Sequence, residues 1–474
     1  MSGYITTIGL EVHCELATKT KLFCGCVNEF GGEPNTHCCP ICSGHPGTLP
    51  TLNKTAVEYA VRAGLALNCE INKFSKWDRK NYFYPDLPKA YQVSQLDEPL
   101  CKGGQVKYKL NGQDRVVRLN RIHLEEDAGK LVHIGKVTEV DYNRGCVPLI
   151  EIVTEPDIIS ADDAVAFLEE LRSVLRYVGV SDCKMQEGRM RADVNLSIAK
   201  AGEPLGTRTE TKNLNSFRSV KRCIEAEQVR QESVLAAGEK VEQQTRHYDD
   251  NSGTSYAMRS KEDAMDYRYF PDPDLLPVVI TDEEIAKVKT SLPMLRAERR
   301  NLYVTEYGLP EADVNIMTDE PKLAQLFAET VKLGIPPKKT ANYILSEVLR
   351  KGKVEGSDDI VVGISPKQLC DILTLVSNGD ISLVASRDVL EKIWLTEILA
   401  EKAVDELGIR QVNDEGEIEK IARELISANP EPARQLKEGN EKVLSFFVGQ
   451  MMRTTKGKCN PNIAGELIKK LLQQ

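Results

Sequence analysis

Strict alternation of apolar and polar side chains recurs through residues 1–295 and predicts β-strands that each turn one face to a core. In the first strand, apolar residues on one face alternate with ionisable residues on the other. The apolar residues are Ile8, Leu10, Val12 and Cys14, and the ionisable ones are Glu11, His13 and Glu15. The same parity returns at residues 121–127, 150–155, 190–198 and 208–212. An ordinary half-exposed sheet explains any one of these segments. If the strands pair, however, their polar sides form one floor of carboxylate, histidine, asparagine and arginine, a mixture suited to metal ions and phosphates.

Helical periodicity appears twice within this region. Residues 161–178 predict a core helix that Ser160 can cap and Gly179 can end. Its buried stripe is predicted to consist of Val165, Leu168, Leu171, Leu175 and Val178. A second packing helix is predicted from Ser216 to about Ala237.

From about Arg296 onwards, short amphipathic segments with Gly or Pro stops predict helices only. A further helical block begins near residue 407, and Asn460 and Pro461 open its last helix, whose lysines should face outward. This change of pattern predicts an α+β fold: an antiparallel-sheet domain over residues 1–295, an all-α domain over 296–406 and an all-α tail over 407–474.

Length and composition fit a soluble multidomain protein. The chain has 474 residues, 41% of them hydrophobic and 28% charged, and no apolar run approaches the roughly eighteen residues of a membrane span. The first residues lack the basic start and apolar stretch of a secretory signal, so we expect a cytoplasmic protein with no membrane role. The net charge of -9 disfavours uniform binding to nucleic acid, but residues 451–474 carry five basic side chains against one acidic.

Two short-spaced cysteine pairs form the clearest local motif. Cys24 and Cys26 are followed by Cys39 and Cys42, and such pairs can bring four thiolates around one tetrahedral Zn²⁺. Nearby alternative ligands are His37, Cys38 and His45. The spacing favours a structural Zn²⁺, and a reduced cluster without metal is the alternative. A closed site of four sulfurs would hold the loop in place and leave no open position for catalysis.

A polar segment with several prolines lies at residues 80–95. Its side-chain donors are Lys80, Tyr82, Tyr84, Lys89, Tyr91 and Gln92. The prolines predict a loop of fixed course rather than a regular element, with lysines and phenols placed along it. An aromatic-rich loop packed on a sheet edge explains the same pattern.

Motifs of several common enzyme classes are absent from the sequence. It contains no G-x-x-x-x-G-K-[ST] phosphate loop, no G-x-S-x-G nucleophile turn and no glycine- and serine-rich amidase loop. Any ATP would therefore need another binding site. Mg²⁺ held by a carboxylate-rich sheet can join protein to phosphates without a phosphate loop.

Taken together, these residues resemble the GatB family, the B subunits of aspartyl/glutamyl-tRNA amidotransferases. The resemblance rests on strings that occur in the family's order: GLEVHCEL, CGC with CPIC and PGTLP, KNYFYPDLPKAYQVSQ, HLEEDAGK, DYNRGCVPLIEIVTEPD, GRMRADVNLS, TETKNLNSFRSV and DYRYFPDPDL. These strings are distributed along most of residues 1–295. The C-terminal block is more weakly similar to the family's YqeY-like tail domain.

The resemblance implies a cradle related to the glutamine synthetase and guanido kinase fold, followed by a helical domain and a tail that binds tRNA. It implies that ATP phosphorylates the side-chain carboxylate of Glu-tRNA(Gln) or Asp-tRNA(Asn) and that ammonia then displaces phosphate. Activation is required because a carboxylate oxygen leaves badly, whereas phosphate leaves well and Mg²⁺ offsets its charge. The implied partners are GatA, a glutaminase subunit that supplies the ammonia, and a small GatC subunit.

The resemblance also assigns residues to the site. The implied magnesium-binding and catalytic positions are Glu11, His13, Glu125, Glu151 and Glu210. Second choices, as supporting groups or ligands of another Mg²⁺, are Asp127, Glu155 and Asp193. The expected nucleotide contacts are Arg208, Lys212, Asp193 and Asn195. The loop at the mouth of the ammonia channel is represented by Lys80, Tyr82, Lys89 and Tyr91, and the zinc ligands by Cys24, Cys26, Cys39 and Cys42.

Two other functions fit parts of the sequence. A zinc-containing tRNA-binding or assembly protein without catalysis would use the polar sheet only to dock RNA. Carboxylates repel phosphate unless metal ions intervene, so such a floor should carry lysines and aromatic residues instead. A metal-dependent nuclease would also cluster carboxylates around two ions.

Overall fold

The computed structural model describes residues 3–260, 267–355, 359–411, 415–438, 440–455 and 459–473. Asp266, which begins one of the quoted strings, and Lys456 and Lys458 of the basic C-terminal segment lie outside the described residues. The chain is a mixed α+β protein, as predicted, and divides into two compact units, Met1–Leu295 and Arg296–Gln474.

All strands of the described residues lie in the first unit. They are β1 Tyr4–Glu15, β2 Glu70–Ile71, β3 Phe74–Ser75, β4 Asp78–Asn81, β5 Tyr91–Ser94, β6 Cys101–Lys102, β7 Gln105–Leu110, β8 Gln113–Glu126, β9 Lys130–Ile134, β10 Val137–Asp141, β11 Pro148–Thr154, β12 Met190–Lys200, β13 Thr209–Leu214, β14 Gln244–Asp249, β15 Thr254–Ser260, β16 Phe270–Pro271 and β17 Val278–Val279. The helices of this unit are α1 Lys54–Ala66, α2 Ala161–Tyr177, α3 Phe217–Ala236 and α4 Asp282–Thr290.

Within the described residues, ten strands form one sheet in the order β15-β14-β13-β12-β1-β11-β8-β6-β2, with β7 paired to β8. The central strand β1 pairs antiparallel with β11 on one side and β12 on the other. Beyond them, β8 pairs with β11 and β13 with β12, again antiparallel. The five segments with matching parity therefore lie on five neighbouring strands.

The apolar side of this sheet forms the core of the unit with α2 and α3. The four predicted apolar residues of β1 are each at most 1% exposed. Helix α2 begins at the predicted cap, where Ser160 Oγ accepts a hydrogen bond from Asp163 N at 3.1 Å. Val165 of the predicted stripe is only half-buried, whereas Phe167 is fully buried because its ring packs edge-on against Tyr108 of β7.

The segment at residues 80–95 differs from the predicted loop at both ends. Lys80 lies in β4 and Tyr91 in β5, and these two strands pair antiparallel. Only residues 82–90 between them are irregular. The prolines stand at positions 85 and 88, so they restrict the middle of the segment and leave its flanks able to form ladder hydrogen bonds.

In the described residues of the second unit the regular elements are helices, with one isolated bridge between Lys353 and Ile360. They are α5 Arg296–Thr305, α6 Glu311–Asp319, α7 Pro321–Lys332, α8 Pro337–Tyr343, α9 Leu349–Gly352, α10 Pro366–Asn378, α11 Ala385–Ile393, α12 Ala400–Leu407, α13 Glu415–Ala428, α14 Pro430–Lys437, α15 Leu444–Thr454 and α16 Pro461–Gln473. One apolar cluster runs from Tyr303 to Val404 and another from Ile418 to Ile468. No helix in the described part of the chain is long and apolar enough to cross a bilayer.

Candidate functional site

Antiparallel pairing sets four ionisable residues of the polar face in one row across the sheet. His13 of β1 lies opposite Glu151 of β11 on one side and opposite Arg191 of β12 on the other. Glu151 in turn lies opposite His123 of β8. Directly opposite residues point to the same face, and neighbouring strands lie about 4.8 Å apart, so these four side chains are immediate neighbours.

The upper group, which we define as His13, Glu125 and Glu151, converges closely enough to hold a metal ion. Its ligand atoms all lie within 4.8 Å of one another. His13 Nε2 is 3.6 Å from Glu125 Oε1 and 3.5 Å from Glu151 Oε2. His123 Nε2 approaches the same two carboxylates, at 3.7 and 3.4 Å. His123 was absent from the predicted site, although its parity with Glu125 indicated that both side chains lie on the same face of β8. Both residues are buried, His123 with 4% and Glu125 with 2% of their surface exposed.

The histidines and carboxylates of the upper group shift one another's pKa values. Burial alone lowers the pKa of His13, but hydrogen bonding to Glu151 and the charges of Glu151 and Glu125 outweigh it and raise that pKa to about 9. The pKa of His123 is likewise raised to about 9 against the effect of burial, by the same two carboxylates. Burial raises the pKa of Glu151, yet the two histidines hold it well below its ordinary range. Without a metal ion, protons on the imidazoles balance the carboxylates.

The lower group, which we define as Glu11, Asp193 and Glu210, offers oxygen ligands only. Its ligand atoms also lie within 4.8 Å of one another. Asn195 Nδ2 donates to Glu11 Oε1 at 3.0 Å. Lys212 Nζ lies 3.1 Å from Asp193 Oδ2 and 2.5 Å from Glu210 Oε1. The five predicted magnesium positions therefore share one face but fall into two neighbouring groups, and the second choice Asp193 completes the lower one.

Burial and like charges within the lower group raise the pKa of Glu11. Burial raises the pKa of Glu11, and the nearby charges of Glu151, Glu210 and Asp193 raise it further, while Lys212 opposes them. Burial lowers the pKa of Lys212, but Asp193 and Glu210 outweigh it and hold that pKa above its ordinary value. A divalent cation among these oxygens would relieve the same repulsion.

A cavity of about 1130 Å³ opens over the polar face. His13, Glu125, Asp193 and Lys212 line it, together with Lys80. Burial lowers the pKa of Lys80, but Glu125 and the neighbouring phenols outweigh it and raise that pKa. The cavity is larger than most small-ligand pockets, which are about 300–1,000 Å³, so there is room for a nucleotide and a second substrate group.

Several arginine side chains line the end of the cavity that is next to the start of β12. Arg191 Nη2 donates to Asp127 Oδ2 at 2.9 Å, and Arg144 Nε lies 3.5 Å from the same oxygen. Arg189 pairs elsewhere, with its Nη1 donating to an Asp182 oxygen at 3.0 Å. Glu15 also faces this end; burial and Asp127 raise its pKa to about 8 against the neighbouring arginines.

The other predicted residues are more dispersed. Of the proposed channel loop, Tyr82 lines the cavity, whereas Lys89 is bound to Glu126 at 2.5 Å with its ammonium 5.3 Å from the centre of the Tyr91 ring. Arg208 lines a separate cavity of about 220 Å³ together with Glu11 and Asn195.

Glu155 joins neither group. It follows β11 and accepts a hydrogen bond from Asn120 Nδ2 at 2.9 Å.

The four cysteines predicted from spacing do converge. Cys24, Cys26, Cys39 and Cys42 place their sulfurs within 4.8 Å of one another. Tetrahedral Zn–S bonds of about 2.3 Å require sulfurs roughly 3.8 Å apart, and the sulfurs of Cys39 and Cys42 are 3.9 Å apart. The alternative Cys38 instead donates to the carbonyl oxygen of Asn35 at 3.1 Å. Among the described cysteines and histidines of this loop, the four-thiol arrangement is the one that suits a metal ion.

The surroundings of a buried lysine give independent support to that arrangement. Lys21 is 0% exposed, and its Nζ donates to Cys42 Sγ at 3.7 Å and to Tyr142 O at 3.2 Å. A buried ammonium is costly unless an anion compensates it. A four-thiolate zinc site carries net negative charge, so the position of Lys21 fits a metal-bound cluster.

Fold and site together define a class of protein: an α+β chain whose sheet carries two acidic side-chain clusters suited to divalent cations, and which also contains a four-cysteine cluster. Comparison with known proteins narrows the class. Residues 6–286 match the family model of the GatB/GatE catalytic domain, and residues 325–472 match that of the GatB domain. The chain belongs to the GatB family.

Full-length relatives agree. The chain is 50% identical to the B subunit of the aspartyl/glutamyl-tRNA(Asn/Gln) amidotransferase of Agathobacter rectalis, over 100% of both chains. It is 49% identical to the corresponding B subunit from Lachnoclostridium phytofermentans, again over 100% of both. The B subunit from Thermodesulfovibrio yellowstonii is 47% identical, over 99% of this chain and 100% of the relative.

Proposed function

We propose that this chain is the activating subunit of a tRNA-dependent amidotransferase. ATP phosphorylates the side-chain carboxylate of Glu-tRNA(Gln), Asp-tRNA(Asn) or both, and ammonia converts the acyl phosphate to the amide. The observation that carries the proposal is that two groups of side chains able to hold a cation lie on one sheet face beneath a cavity of about 1130 Å³. Family membership supports the reaction class.

Both groups contribute to the binding of Mg-ATP. The upper group would hold one Mg²⁺ through His13, Glu125 and Glu151, and the lower group would hold another through Glu11, Asp193 and Glu210. Bound Mg²⁺ supplies compensation for the negative charge of the triphosphate. Asn195 holds Glu11 in place.

The proposed nucleotide contacts flank these groups. Arg208 approaches from the smaller cavity, and Lys212 contacts phosphate after leaving the carboxylates with which it is paired.

Ammonia needs no strong base, because it is already a nucleophile. We assign Lys80, Tyr82, Lys89 and Tyr91 to the wall where ammonia arrives. Lys80 and Tyr82 support this assignment because both line the cavity. Lys89 and Tyr91 would support this wall from behind. The ammonium of Lys89 binds Glu126, whose Oε1 also accepts a hydrogen bond from Val93 N of β5 at 2.9 Å.

Metal affinity in the upper group should depend on pH. His13 and His123 have pKa values raised to about 9 in the metal-free chain, so a cation must displace a proton below that pH, and its affinity should rise from about pH 7 to about pH 9. Calorimetric titration with Mn²⁺ in buffers of different ionisation enthalpy counts the protons released. The His13→Gln variant should release fewer than the unmodified chain; equal release by both would contradict this assignment.

The cysteine cluster is proposed as a structural zinc site. Four sulfurs close the coordination shell, so this ion would hold residues 24–42 in place rather than take part in the reaction. Lys21→Met should lower zinc affinity about 10–100-fold, because it removes the hydrogen bond and positive charge that act on Cys42. Competition with a chromogenic chelator measures the change. Lys19→Met, at an exposed position two residues away, is the matched control, and equal zinc loss in both variants would contradict the role of Lys21.

The wider arrangement is proposed by analogy with the family. We propose that the first unit forms a cradle of the glutamine synthetase and guanido kinase type, that residues 296–406 form a helical domain, and that residues 407–474 form a YqeY-like tail that binds tRNA. The separate apolar clusters on either side of residue 407 support this division. The proposed partners are GatA, which releases ammonia from glutamine, and GatC.

One assay separates this function from its competitors. The chain, assembled with its GatA and GatC partners, is incubated with Glu-tRNA, glutamine and ATP. The proposed enzyme gives ADP and Gln-tRNA. A non-catalytic RNA-binding protein gives neither, and a metal-dependent nuclease shortens the RNA; either result would overturn the proposal. Repeating the assay with Asp-tRNA defines the substrate range.

A further inference from the structure

We propose that Arg191 directly binds the phosphoryl group that is transferred, and that Asp127 aims its guanidinium. This inference rests on the proposed function and adds to it a catalytic residue outside both metal groups. Arg191 precedes Asp193 by two positions on β12 and projects from the same face of the sheet. It lies directly opposite His13 of the upper group, one strand spacing away.

The guanidinium is held in place yet remains open to the cavity. Its Nη2 donates to Asp127 Oδ2 at 2.9 Å, and the Arg191 side chain, 14% exposed, lines the cavity wall. Asp127 is itself fixed, since its Oδ1 accepts from Ala128 N at 2.9 Å and its side chain is only 6% exposed. A planar guanidinium whose direction is set in this way is suited to two parallel hydrogen bonds with a phosphate.

Asp127 is shared between two cations. Arg144 Nε lies 3.5 Å from the same Oδ2 that Arg191 contacts, while Arg144 also donates to the carbonyl oxygens of Ala128 and Gly129 at 3.0 and 2.7 Å. Asp127 is the carboxylate that both guanidinium groups contact, and Glu15, which faces the same end of the cavity, forms no ion pair with either of them among the described residues. An anion beside the upper group would complete the balance, and a phosphate is the anion that the proposed reaction brings there.

Arg189 provides a comparison at the same end of the cavity. It stands two residues earlier and lines the same cavity. Its guanidinium is paired with two carboxylates, to Asp182 at 3.0 Å and to Glu187 at 2.9 Å. Arg191 shares one carboxylate with a second arginine, so the two positions differ in the charge left available to a ligand.

The step that Arg191 would assist is a balanced phosphoryl transfer. A side-chain carboxylate oxygen of the aminoacyl group forms a bond to the γ-phosphorus of ATP. The bond from that phosphorus to the β,γ-bridging oxygen breaks, and ADP leaves with the electron pair. Negative charge spreads over the equatorial phosphoryl oxygens during transfer, and hydrogen bonds from a fixed guanidinium strengthen at that point.

The test measures tRNA-dependent ADP formation by the assembled complex. Arg191→Met should lower kcat about 10²–10³-fold, the usual cost of removing one such donor, with the KM for Glu-tRNA unchanged. Arg191→Lys keeps the charge without the paired donors and should recover only part of the rate. Adding guanidinium ion to Arg191→Ala should restore activity in a saturable manner. Arg118→Met changes an exposed arginine of β8 that pairs with Asp157 instead of lining the cavity; it is the matched control and should stay within about twofold of the unmodified complex.

Asp127→Asn tests the aiming role. Its loss in kcat should not add to that of Arg191→Met in the double variant, since both changes remove the same oriented group. Additive losses would show that Asp127 acts independently and would contradict this part of the proposal.

Each remaining outcome is decisive. Normal kcat in Arg191→Lys and Arg191→Met would overturn the inference, as would a rise in the KM for Glu-tRNA at unchanged kcat, which would place a tRNA phosphate against Arg191 instead. Failure of the unmodified complex to form ADP would refute the proposed function itself. Thermal unfolding of each variant shows whether the fold is intact, and the charge-retaining Arg191→Lys keeps the test valid if Arg191→Met fails to fold.

Discussion

Replacing Glu125 by Gln is expected to abolish tRNA-dependent ADP formation, with a loss of about 10³-fold or more, while glutamine hydrolysis in the GatA partner continues. Glu125 is 2% exposed and its carboxylate faces both His13 and His123. The amide keeps the shape of the side chain but removes the negative charge that a cation needs. Loss of metal binding in the upper group should therefore accompany the loss of phosphorylation.

Two measurements make this prediction specific. ADP release is followed with Glu-tRNA present and absent, and glutamine hydrolysis is followed separately in the same preparation. Glu58→Gln, an equal chemical change at an exposed position on α1, is the control and should leave both rates unaltered. Normal phosphorylation by Glu125→Gln would remove the upper group from the reaction.

Replacing Cys42 by Ser is expected to remove bound zinc entirely and to lower the unfolding temperature of the chain by about 5–10 °C. Cys42 is 2% exposed, and its sulfur accepts from both the Cys39 amide at 3.1 Å and the Lys21 ammonium at 3.7 Å. Serine is a poor zinc ligand, so three thiols would remain without the metal ion that holds them together, and the buried Lys21 ammonium would lose the negative charge of the cluster. Zinc content is measured by elemental analysis and stability by calorimetry.

Cys38→Ser provides the control, because Cys38 lies next to the cluster in sequence but bonds to Asn35 instead. This variant should retain zinc and stability. If freshly prepared unmodified protein contained no metal, or if both variants lost it equally, the four-thiol site would not be the zinc site.

Much of the polar face could be predicted from parity alone. Because side chains alternate along a strand, an apolar run at every second position leaves its partners on the opposite face. This reasoning placed Glu11 and His13 together on β1 and His123 beside Glu125 on β8. Cysteine spacing predicted the four-thiol cluster for a similar reason: the two residues of each pair are too close in sequence to diverge far in space.

The division into two groups could not be predicted, since it depends on register. A shift of one residue between β1 and β12 would move every side chain of one strand to the other face. The observed register sets Glu11 opposite Asp193 and His13 opposite Arg191. Those pairings raise Asp193 from a second choice to a full member of the lower group and set Arg191 beside the upper one.

By itself, the amino-acid sequence determined the α+β class, the polar face, the cysteine cluster and the family, because alternation, spacing and contiguous strings are local properties of the chain. Only the tertiary structure decided that Lys21 lies against Cys42, that His123 joins His13 on the same two carboxylates, and that Asp127 is shared by Arg144 and Arg191. Each of these contacts joins strands or loops far apart in sequence. Strand register and core packing determine such contacts, and neither property is local to the residues that meet.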